Sequence, residues 1–390
     1  MSGFVHLHLH SEYSLLDGAC RIKDIAKAAA EAGHEAVALT DHGVMYGAVE
    51  FYHACKEVGV KPIIGCEVYV APRSRFDREH KLDSKSNHLV LLVKNEVGYR
   101  NLCHMVSLSF TEGFYSKPRV DTELLRENSE GLIALSGCLS GSIPRAVLNG
   151  DYDEAVRRAE ELRDIFGEED FYLELQYHGI PEQLKVNRAL SEISVRTGIP
   201  LAATNDVHYI KKEDSQIQRV LMAIATGTTL SDAEDESHGD PLSYSIDGSM
   251  GAFVNDFSDV PANVMSLSAD AQAGFTDNLN SVSPVNGTAP GGLSGGQFYY
   301  KSTEEMTQLF SSFGKAIENT AEIAERCNFD FDFSEIKLPR YKTESEETPA
   351  EMLRRLVTEG FERRLGLGQI VFAPGLGETE YIKRAESELA

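Results

Sequence analysis

The first part of the chain alternates short apolar runs with amphipathic stretches, and this alternation limits the fold more than any other feature. The apolar runs lie at 4–10, 35–41, 61–70, 88–94, 131–136, 171–176 and 199–205. Repeated strand and helix units with nearly continuous apolar strands are typical of a parallel sheet covered on both faces. Seven strands favour a closed or nearly closed barrel, and no GxGxxG motif supports an open dinucleotide-binding sheet. The sequence therefore predicts an α/β barrel.

Four of the amphipathic stretches end at a glycine. These glycines are Gly33, Gly59, Gly167 and Gly198. Glycine adopts the left-handed conformation that closes a helix more cheaply than other residues. The pattern therefore predicts helices that end at these positions.

The composition is that of a globular protein and excludes several other classes. Of the 390 residues 42% are hydrophobic and 25% are charged, which excludes a mainly disordered chain. No run approaches about 18 consecutive apolar residues, so we expect no membrane partner. The six cysteines lack CxxC spacing and the N-terminus lacks a signal peptide, so we expect a reduced, cytoplasmic protein.

The net charge of −24 is unevenly distributed. It argues against a surface that coats nucleic acid, but it is compatible with a local DNA-binding face or a metal site. Between Val220 and Tyr300 there are ten Asp or Glu and no Lys or Arg. The sequence predicts a polar, acidic insertion or flexible loop at 231–297, with a small acidic recognition module as the alternative.

Two capping boxes follow the acidic segment and predict helices. Ser302 stands three residues before Glu305, and Thr348 three before Glu351. Another helical pattern runs from about Glu378 to the end of the chain without a cap, so we expect the chain to be truncated. The predicted organisation is a barrel at 1–230, the insertion at 231–297 and a mainly helical segment at 298–390.

Three histidines alternate with apolar residues in the first run. His6, His8 and His10 therefore leave the strand on one face. A buried imidazole must be hydrogen-bonded or must bind a metal. Because His6 lies deepest, we interpret it as a hydrogen-bonded core residue and the other two as metal ligands.

Further residues with metal-binding side chains follow the other predicted strands. The predicted ligands are His8, His10, Asp17, His42, Glu67, His88, Cys138, Asp206 and His208. In barrels of parallel strands, functional groups gather where the strands end. His88 is the exception, because it opens its run. Imidazole, carboxylate and thiolate ligands together favour zinc, with manganese or iron as alternatives.

Nine ligands exceed the need of one ion. We therefore expect two to three divalent ions that share a bridging carboxylate. Adjacent metal ions are typical of phosphate-ester hydrolysis. Asp17, Glu67 and Asp206 are the candidate catalytic carboxylates for this chemistry.

Basic residues between Glu67 and His88 are candidate DNA contacts. Arg73, Arg75 and Arg78 lie in this loop and could bind a phosphate backbone, although such a loop is more often simply solvated. His178, at the end of the sixth run, is a further candidate for contact with substrate.

Five long motifs resemble the N-terminal polymerase-and-histidinol-phosphatase (PHP) domain of bacterial DNA polymerase III alpha subunits. They are FVHLHLHSEYSLLDGACRI, AVALTDHGVMYGAVEFY, GVKPIIGCEVYVAP, GLIALSGCLSG and AATNDVHYIKKED. The resemblance covers about 1–230 and resumes at QFYYKSTEEM. It implies a distorted seven-stranded (β/α) PHP barrel, followed by a mainly helical segment that leads toward the polymerase core.

The resemblance also implies a trinuclear site. By position, His8, His10, Glu67 and Asp206 would hold one ion; Glu67 would bridge to a second, bound by His88 and Cys138; and Asp17, His42 and His208 would hold a third. Because all nine positions hold a metal-competent residue, the resemblance favours 3′–5′ exonuclease proofreading. The expected partners are a DNA 3′ end, the remaining polymerase core and other replicase subunits, including a proofreading subunit.

Two other functions remain open. The domain could be a non-catalytic, metal-stabilised scaffold that docks a separate proofreading subunit, or a small-molecule phosphatase of the histidinol-phosphate type. The chain ends before the palm, so we expect the nucleotidyltransferase site to be absent from it.

Overall fold

A computed structural model describes residues 3–230, 297–334, 341, 343 and 347–389. The chain forms two compact units, Met1–Phe331 and Asp332–Ala390. The segment 298–390, treated as one in the sequence analysis, is divided between them. The predicted acidic insertion lies outside the described residues, apart from Gln297.

The first unit contains seven strands and eleven α-helices among the described residues. The strands are β1 (Ala36–Leu39), β2 (Lys61–Val70), β3 (Asn87–Val93), β4 (Arg119–Val120), β5 (Leu132–Leu135), β6 (Phe171–Leu175) and β7 (Leu201–Ala203). The helices are α1 (Ile22–Glu31), α2 (Ala48–Val58), α3 (His80–Asp83), α4 (Glu96–Thr111), α5 (Thr122–Glu127), α6 (Ser142–Leu148), α7 (Tyr152–Phe166), α8 (Pro181–Thr197), α9 (Ser215–Thr226), α10 (Thr303–Leu309) and α11 (Glu318–Arg326).

The strands form one mixed sheet in the order β1-β2-β3-β5-β6-β7, with β4 paired to β2. The prediction of a parallel sheet is wrong for β3, which is antiparallel to both β2 and β5. A parallel pair needs a long crossover that is usually a full helix. The connection from β2 to β3 contains only the four-residue helix α3. Strand β3 therefore starts at the end of the sheet where β2 finishes and runs in the opposite direction.

The N-terminal segment closes the sheet. Residues 4–10, predicted as the first strand, make isolated bridges instead of a continuous ladder: His6 pairs with Val37 and Leu9 with Val207, both in parallel. The amide of Ala38 donates to the carbonyl of His6 (2.8 Å), and the amide of His10 donates to the carbonyl of Val207 (2.8 Å). The segment therefore joins β1 to the chain that follows β7 and completes an α/β barrel.

Helix α11 covers one end of the barrel. Its Ile323 and Ala324 pack with apolar side chains from the closing segment and from the strands. Its Thr320 hydroxyl accepts a hydrogen bond from the amide of Val5 (3.0 Å). Because Val5 begins the closing segment, this end lies opposite the rim reached by His8 and His10.

Several helix ends follow the predicted signals, although α1 ends two residues before Gly33 and Gly167 caps α7 outside the left-handed helical conformation. Gly59 and Gly198 cap α2 and α8 in the left-handed conformation, with φ of 78° and 77°. Ser302 caps α10 with a capping box that Glu305 completes.

The second unit contains α12 (Pro349–Gly366) and α13 (Glu378–Glu388). The predicted capping box at Thr348 begins α12. Among the described residues, no helix combines the length and the apolar character needed to cross a membrane.

Replacement of Thr40 by valine tests the closure of the barrel. The buried Thr40 hydroxyl accepts from the amide of Leu9 (2.9 Å) and donates to its carbonyl (3.1 Å). Valine conserves the volume but leaves a buried amide without its partner, so the free energy of unfolding should fall by about 1–3 kcal/mol. Urea denaturation in the presence of a chelator measures this. Thr111→Val, which removes an exposed hydroxyl on α4, should change stability by less than about 0.5 kcal/mol. Equal losses in the two variants would contradict the closure.

Candidate metal centre

The predicted ligands converge on the barrel rim opposite α11. His8 and His10 end the closing segment, His42 follows β1, Cys138 follows β5, and Asp206 follows β7. Glu67 lies inside the long strand β2, where its backbone bridges to His42. The sheet therefore brings to one place side chains that are up to 200 residues apart in sequence.

His88 reaches the same rim because β3 runs in the opposite direction. Antiparallel pairing places its backbone beside Tyr69 near the end of β2. Its Nδ1 atom lies 3.0 Å from Glu67 Oε1. The start of an antiparallel strand lies at the end of its neighbours, which explains the one ligand that opened its predicted run.

Glu67 is the centre of the cluster. Its side chain is 1% exposed, and five other predicted ligands surround its carboxylate. The distances from its nearer oxygen are 2.6 Å to His42 Nδ1, 3.0 Å to His88 Nδ1, 3.5 Å to His8 Nε2, 3.6 Å to His10 Nε2 and 3.8 Å to Cys138 Sγ. Glu67 therefore has the position of a shared ligand.

Asp206 forms a second point of convergence. Its Oδ1 atom lies 3.1 Å from His10 Nε2, 3.3 Å from His8 Nε2 and 3.6 Å from His208 Nδ1. Its backbone has a φ of 43°, in the left-handed region that asparagine and aspartate tolerate better than most residues. This turn presents Asp206 and His208 to the same cluster.

Asp17 and His42 lie in a partly exposed region of the cluster. Their side chains are 17% and 15% exposed, and Asp17 Oδ2 lies 3.1 Å from His42 Nε2. His10 stacks against His42 and His208, with ring centroids 4.1 Å and 4.5 Å apart. Asp17 and His42 therefore form the solvent side of the cluster.

The described part of the chain contains three groups of potential metal ligands. Within each group, the donor atoms lie within 4.8 Å of one another. The groups are His8, His10 and Asp206; His42, Glu67 and His88; and His10, His42 and His208. Cys138 is close to the second group, with its Sγ 3.6 Å from His88 Nδ1. The division of nine ligands among three ions, as the resemblance implies it, stays a prediction.

The carboxylates of the cluster are held in the ionised form. Burial raises the pKa of Glu67, but His88, His42 and His8 outweigh it and hold that pKa well below its ordinary value. Burial likewise raises the pKa of Asp206, and His8 and His208 lower it below its ordinary range. Burial, reinforced by His42 and His208, lowers the pKa of His10 to about 3. Ionised carboxylates beside a neutral imidazole are the protonation states that metal binding requires.

Three buried atoms of the cluster lack a hydrogen-bond partner within the described residues. They are His42 Nδ1, Glu67 Oε2 and Asp206 Oδ1. His42 Nδ1 and Glu67 Oε2 are 2.6 Å apart, but their alignment is not that of a hydrogen bond. Since buried polar atoms normally have a partner, three such atoms in one cluster fit coordination of divalent cations.

Two carboxylates that support the ligands were missed by the sequence analysis. Glu174 Oε1 accepts a hydrogen bond from His8 Nδ1 at 2.6 Å. Asp41 accepts from the Ser14 hydroxyl (2.8 Å), which in turn lies 3.1 Å from His10 Nδ1. A signal for Glu174 was present, because it is a charged residue inside the apolar run FYLEL.

Two further histidines have packing roles. His6 is buried, and its Nε2 donates to the carbonyl of Lys301 (2.8 Å), as predicted for a core residue. His178 was predicted as a substrate contact, but it is 1% exposed. Its Nε2 donates to the carbonyl of Asn205 (2.8 Å) and its ring stacks on Phe298. A direct contact of His178 with DNA is therefore excluded in this structure.

The arginines of the predicted basic loop are hydrogen-bonded to the loop itself or to residues of neighbouring segments. Arg73 makes two hydrogen bonds to Asp83 (2.9 and 2.7 Å). Arg75 is mostly buried and contacts Asp121. Arg78 is exposed and donates to the carbonyl of Glu112 (3.2 Å). The structure therefore does not bring these arginines together as one cationic surface.

An α/β barrel closed by its own N-terminal segment, with histidines and carboxylates gathered at one rim, defines a PHP-type domain. Residues 6–178 match the PHP domain family. The chain is 40% identical over 363 residues to DNA polymerase III subunit alpha of Treponema pallidum, and 39% identical over 371 residues to that of Thermus aquaticus. Each match covers 93% of this chain and 26% of the relative. The chain therefore carries the PHP region of the DNA polymerase III alpha subunit family, and the resemblance of its motifs is confirmed.

The chain spans about a quarter of the length of these relatives. Among solved structures, one described as a metal-dependent phosphoesterase from Bifidobacterium adolescentis is 16% identical, with a TM-score of 0.34 over 53% of this chain and 88% of that one. This overlap is too low to support a functional argument.

Glu67→Gln tests the shared ligand. The amide keeps the shape of the side chain but loses the charge that several imidazoles face, so the variant should bind at least one ion fewer per chain than the wild type. Elemental analysis after zinc loading and desalting measures this. Glu57→Gln, on the exposed face of α2, should retain the wild-type metal content. An unchanged metal content in Glu67→Gln would show that Glu67 is not a ligand.

Proposed function

We propose that this chain is a metal-dependent phosphodiesterase, a 3′–5′ exonuclease module that removes nucleotides from a DNA 3′ end. The observation that carries this proposal is the convergence of nine metal-competent side chains, Glu67 among them, at one rim of the barrel. Three buried atoms of this cluster have no hydrogen-bond partner among the described residues. Membership in the DNA polymerase III alpha family supports DNA as the substrate. The proposal does not extend to DNA polymerisation, because this chain spans only about a quarter of the length of its relatives.

The donor set fits two to three divalent ions. Zinc suits a mixture of imidazole, carboxylate and one thiolate best, with manganese or iron as alternatives. The residues that would hold them are the nine predicted ligands, with Glu67 shared between ions. When bound, such ions stabilise negative charge at a phosphate and supply a nucleophile from water at neutral pH.

The chain's own residues determine the direction of approach. Asp17 and His42 are both partly exposed, so the scissile phosphate enters from their side. The carboxylate of Asp17 orients the imidazole of His42 at 3.1 Å. Glu67 and Asp206 lie deeper and provide fixed negative charge, while the apolar barrel interior excludes water from behind.

The proposed partners follow from the family to which the relatives belong. They are a DNA 3′ end, the remaining polymerase core and other replicase subunits, including a proofreading subunit. Among the predicted DNA contacts, Arg78 is the best placed to bind a phosphate. It is exposed, and its described hydrogen bond is to a carbonyl, which does not neutralise the charge of the guanidinium. Arg73 and Arg75 would first have to leave their carboxylate partners.

One observation favours the scaffold alternative. Most of the predicted ligands are nearly inaccessible, and a closed, fully coordinated site is typical of structural metal centres. In that case the ions would stabilise the barrel while a separate subunit carried out proofreading. The small-molecule phosphatase is less well supported, since the relatives found are polymerase subunits.

Asp206→Asn distinguishes the exonuclease from the scaffold. Asparagine tolerates the left-handed backbone of this position but removes the charge that a metal–oxygen bond needs. Release of nucleoside monophosphates from a 3′-labelled primer, with zinc or manganese in single turnover, should fall at least about 100-fold, which corresponds to about 2.7 kcal/mol. Circular dichroism should show a retained fold.

The matched control is Asp170→Asn. Asp170 lies directly before β6, the strand that contains Glu174, and pairs with Lys94 at the opposite end of the barrel. Its replacement should leave the cleavage rate unchanged. If the metal-loaded wild type cleaves no faster than Asp206→Asn, the exonuclease proposal is wrong and the scaffold remains. Release of phosphate from histidinol phosphate would instead support the third alternative.

A further inference from the structure

We infer that Glu174 is a positioning residue that orients His8 and holds together three ligand-bearing segments of the metal centre. This inference rests on the proposed metal-dependent function. Glu174 lies in β6, is 2% exposed and belongs to none of the three sets of converging donor atoms. It is a buried carboxylate with no direct role in the proposed chemistry.

Four donors surround the Glu174 carboxylate. Oε1 accepts from His8 Nδ1 (2.6 Å), the Thr204 hydroxyl (2.5 Å) and Gln176 Nε2 (2.9 Å). Oε2 accepts from the backbone amide of Gly137 (2.9 Å). Glu67 and Asp206, in contrast, each have a buried oxygen without a hydrogen-bond partner in the described chain. Glu174 is therefore saturated by the protein, whereas the two candidate ligands are not.

The first contact determines which nitrogen of His8 faces the cluster. In a hydrogen bond between an imidazole nitrogen and a carboxylate oxygen the nitrogen is normally the donor, so His8 Nδ1 carries the proton. His8 Nε2 then points at the cluster, 3.3 Å from Asp206 Oδ1 and 3.0 Å from His10 Nε2. A carboxylate on the far nitrogen of a ligating histidine fixes its ring and raises its basicity.

The second contact positions the loop that carries Cys138. Gly137 directly precedes this cysteine and has a φ of 84°. A Cβ at Gly137 would lie 2.6 Å from the carbonyl oxygen of His88, so a residue with a side chain would clash at this position. The hydrogen bond from its amide to Glu174 fixes the orientation of this turn.

The third contact connects the end of β7. Thr204 lies two residues before Asp206, and its hydroxyl donates to the same oxygen that holds His8. One carboxylate thus links the segments that bear His8, Cys138 and Asp206. These segments belong to different strands and have no covalent connection near the site.

Glu174→Gln tests the inference. The amide cannot accept from all four donors, because one of its two terminal atoms is itself a donor. The affinity for Zn²⁺, measured by competition with a chromogenic chelator, should fall about 10- to 100-fold. Asp170→Asn, directly before the same strand, should retain the wild-type affinity and thereby separates this effect from general destabilisation.

A second measurement uses the wild-type chain and does not depend on the folding of the variant. Long-range ¹H–¹⁵N correlation spectra of the zinc-loaded protein, assigned with His8→Gln, should show a protonated Nδ1 and a metal-bound Nε2 at His8. The opposite assignment overturns the inference. So does a Glu174→Gln variant that folds and binds zinc within twofold of the wild type. A wild-type chain that takes up no metal overturns the proposed function and this inference with it.

Discussion

Backbone hydrogen bonds on both sides of the N-terminal segment are the interaction on which the rest of the structure depends. Through His6 the segment pairs with β1, and through Leu9 and His10 with the chain after β7. A sheet that ends at β1 and β7 would have two open edges, and this segment removes both. The same pairing places His8 and His10 between Glu67 and Asp206, so the contacts that close the barrel also position two of the predicted ligands.

Charge balance is the second constraint on the molecule. Glu67 and Asp206 are almost fully buried, and an isolated carboxylate there would be protonated at a high cost in folding free energy. The imidazoles around them hold both pKa values low. Burial keeps His10 neutral, so the cluster combines negative charge with one free imidazole. These features are those of a candidate cation site. Among the described contacts, no lysine or arginine pairs with the carboxylates of Glu67 and Asp206.

The reversal of β3 shows how topology decides which residues meet. His88 opens its run, and in an all-parallel barrel it would lie at the end far from the other ligands. Because β3 is antiparallel to β2 and β5, the start of this strand lies beside the end of β2. His178 shows the opposite case. It follows β6 at the functional rim, but its ring packs on Phe298, a residue 120 positions later in the chain. The position of a residue relative to its predicted strand was therefore a poor guide in both cases. It placed His88 far from the cluster that it joins, and it placed His178 at a surface from which it is buried.

The sequence by itself determined the α/β class, the positions of most strands, the helix ends at Gly59 and Gly198, and the choice of metal-competent residues. These depend on local patterns: apolar periodicity, caps and the alternation of His8 and His10 with leucines. Tertiary structure alone decided the direction of β3, the use of 4–10 as a closing segment and the roles of Glu174 and Asp41. Strand direction depends on packing between distant segments, and a supporting carboxylate is identified only by the side chains that surround it. A local pattern carries neither kind of information.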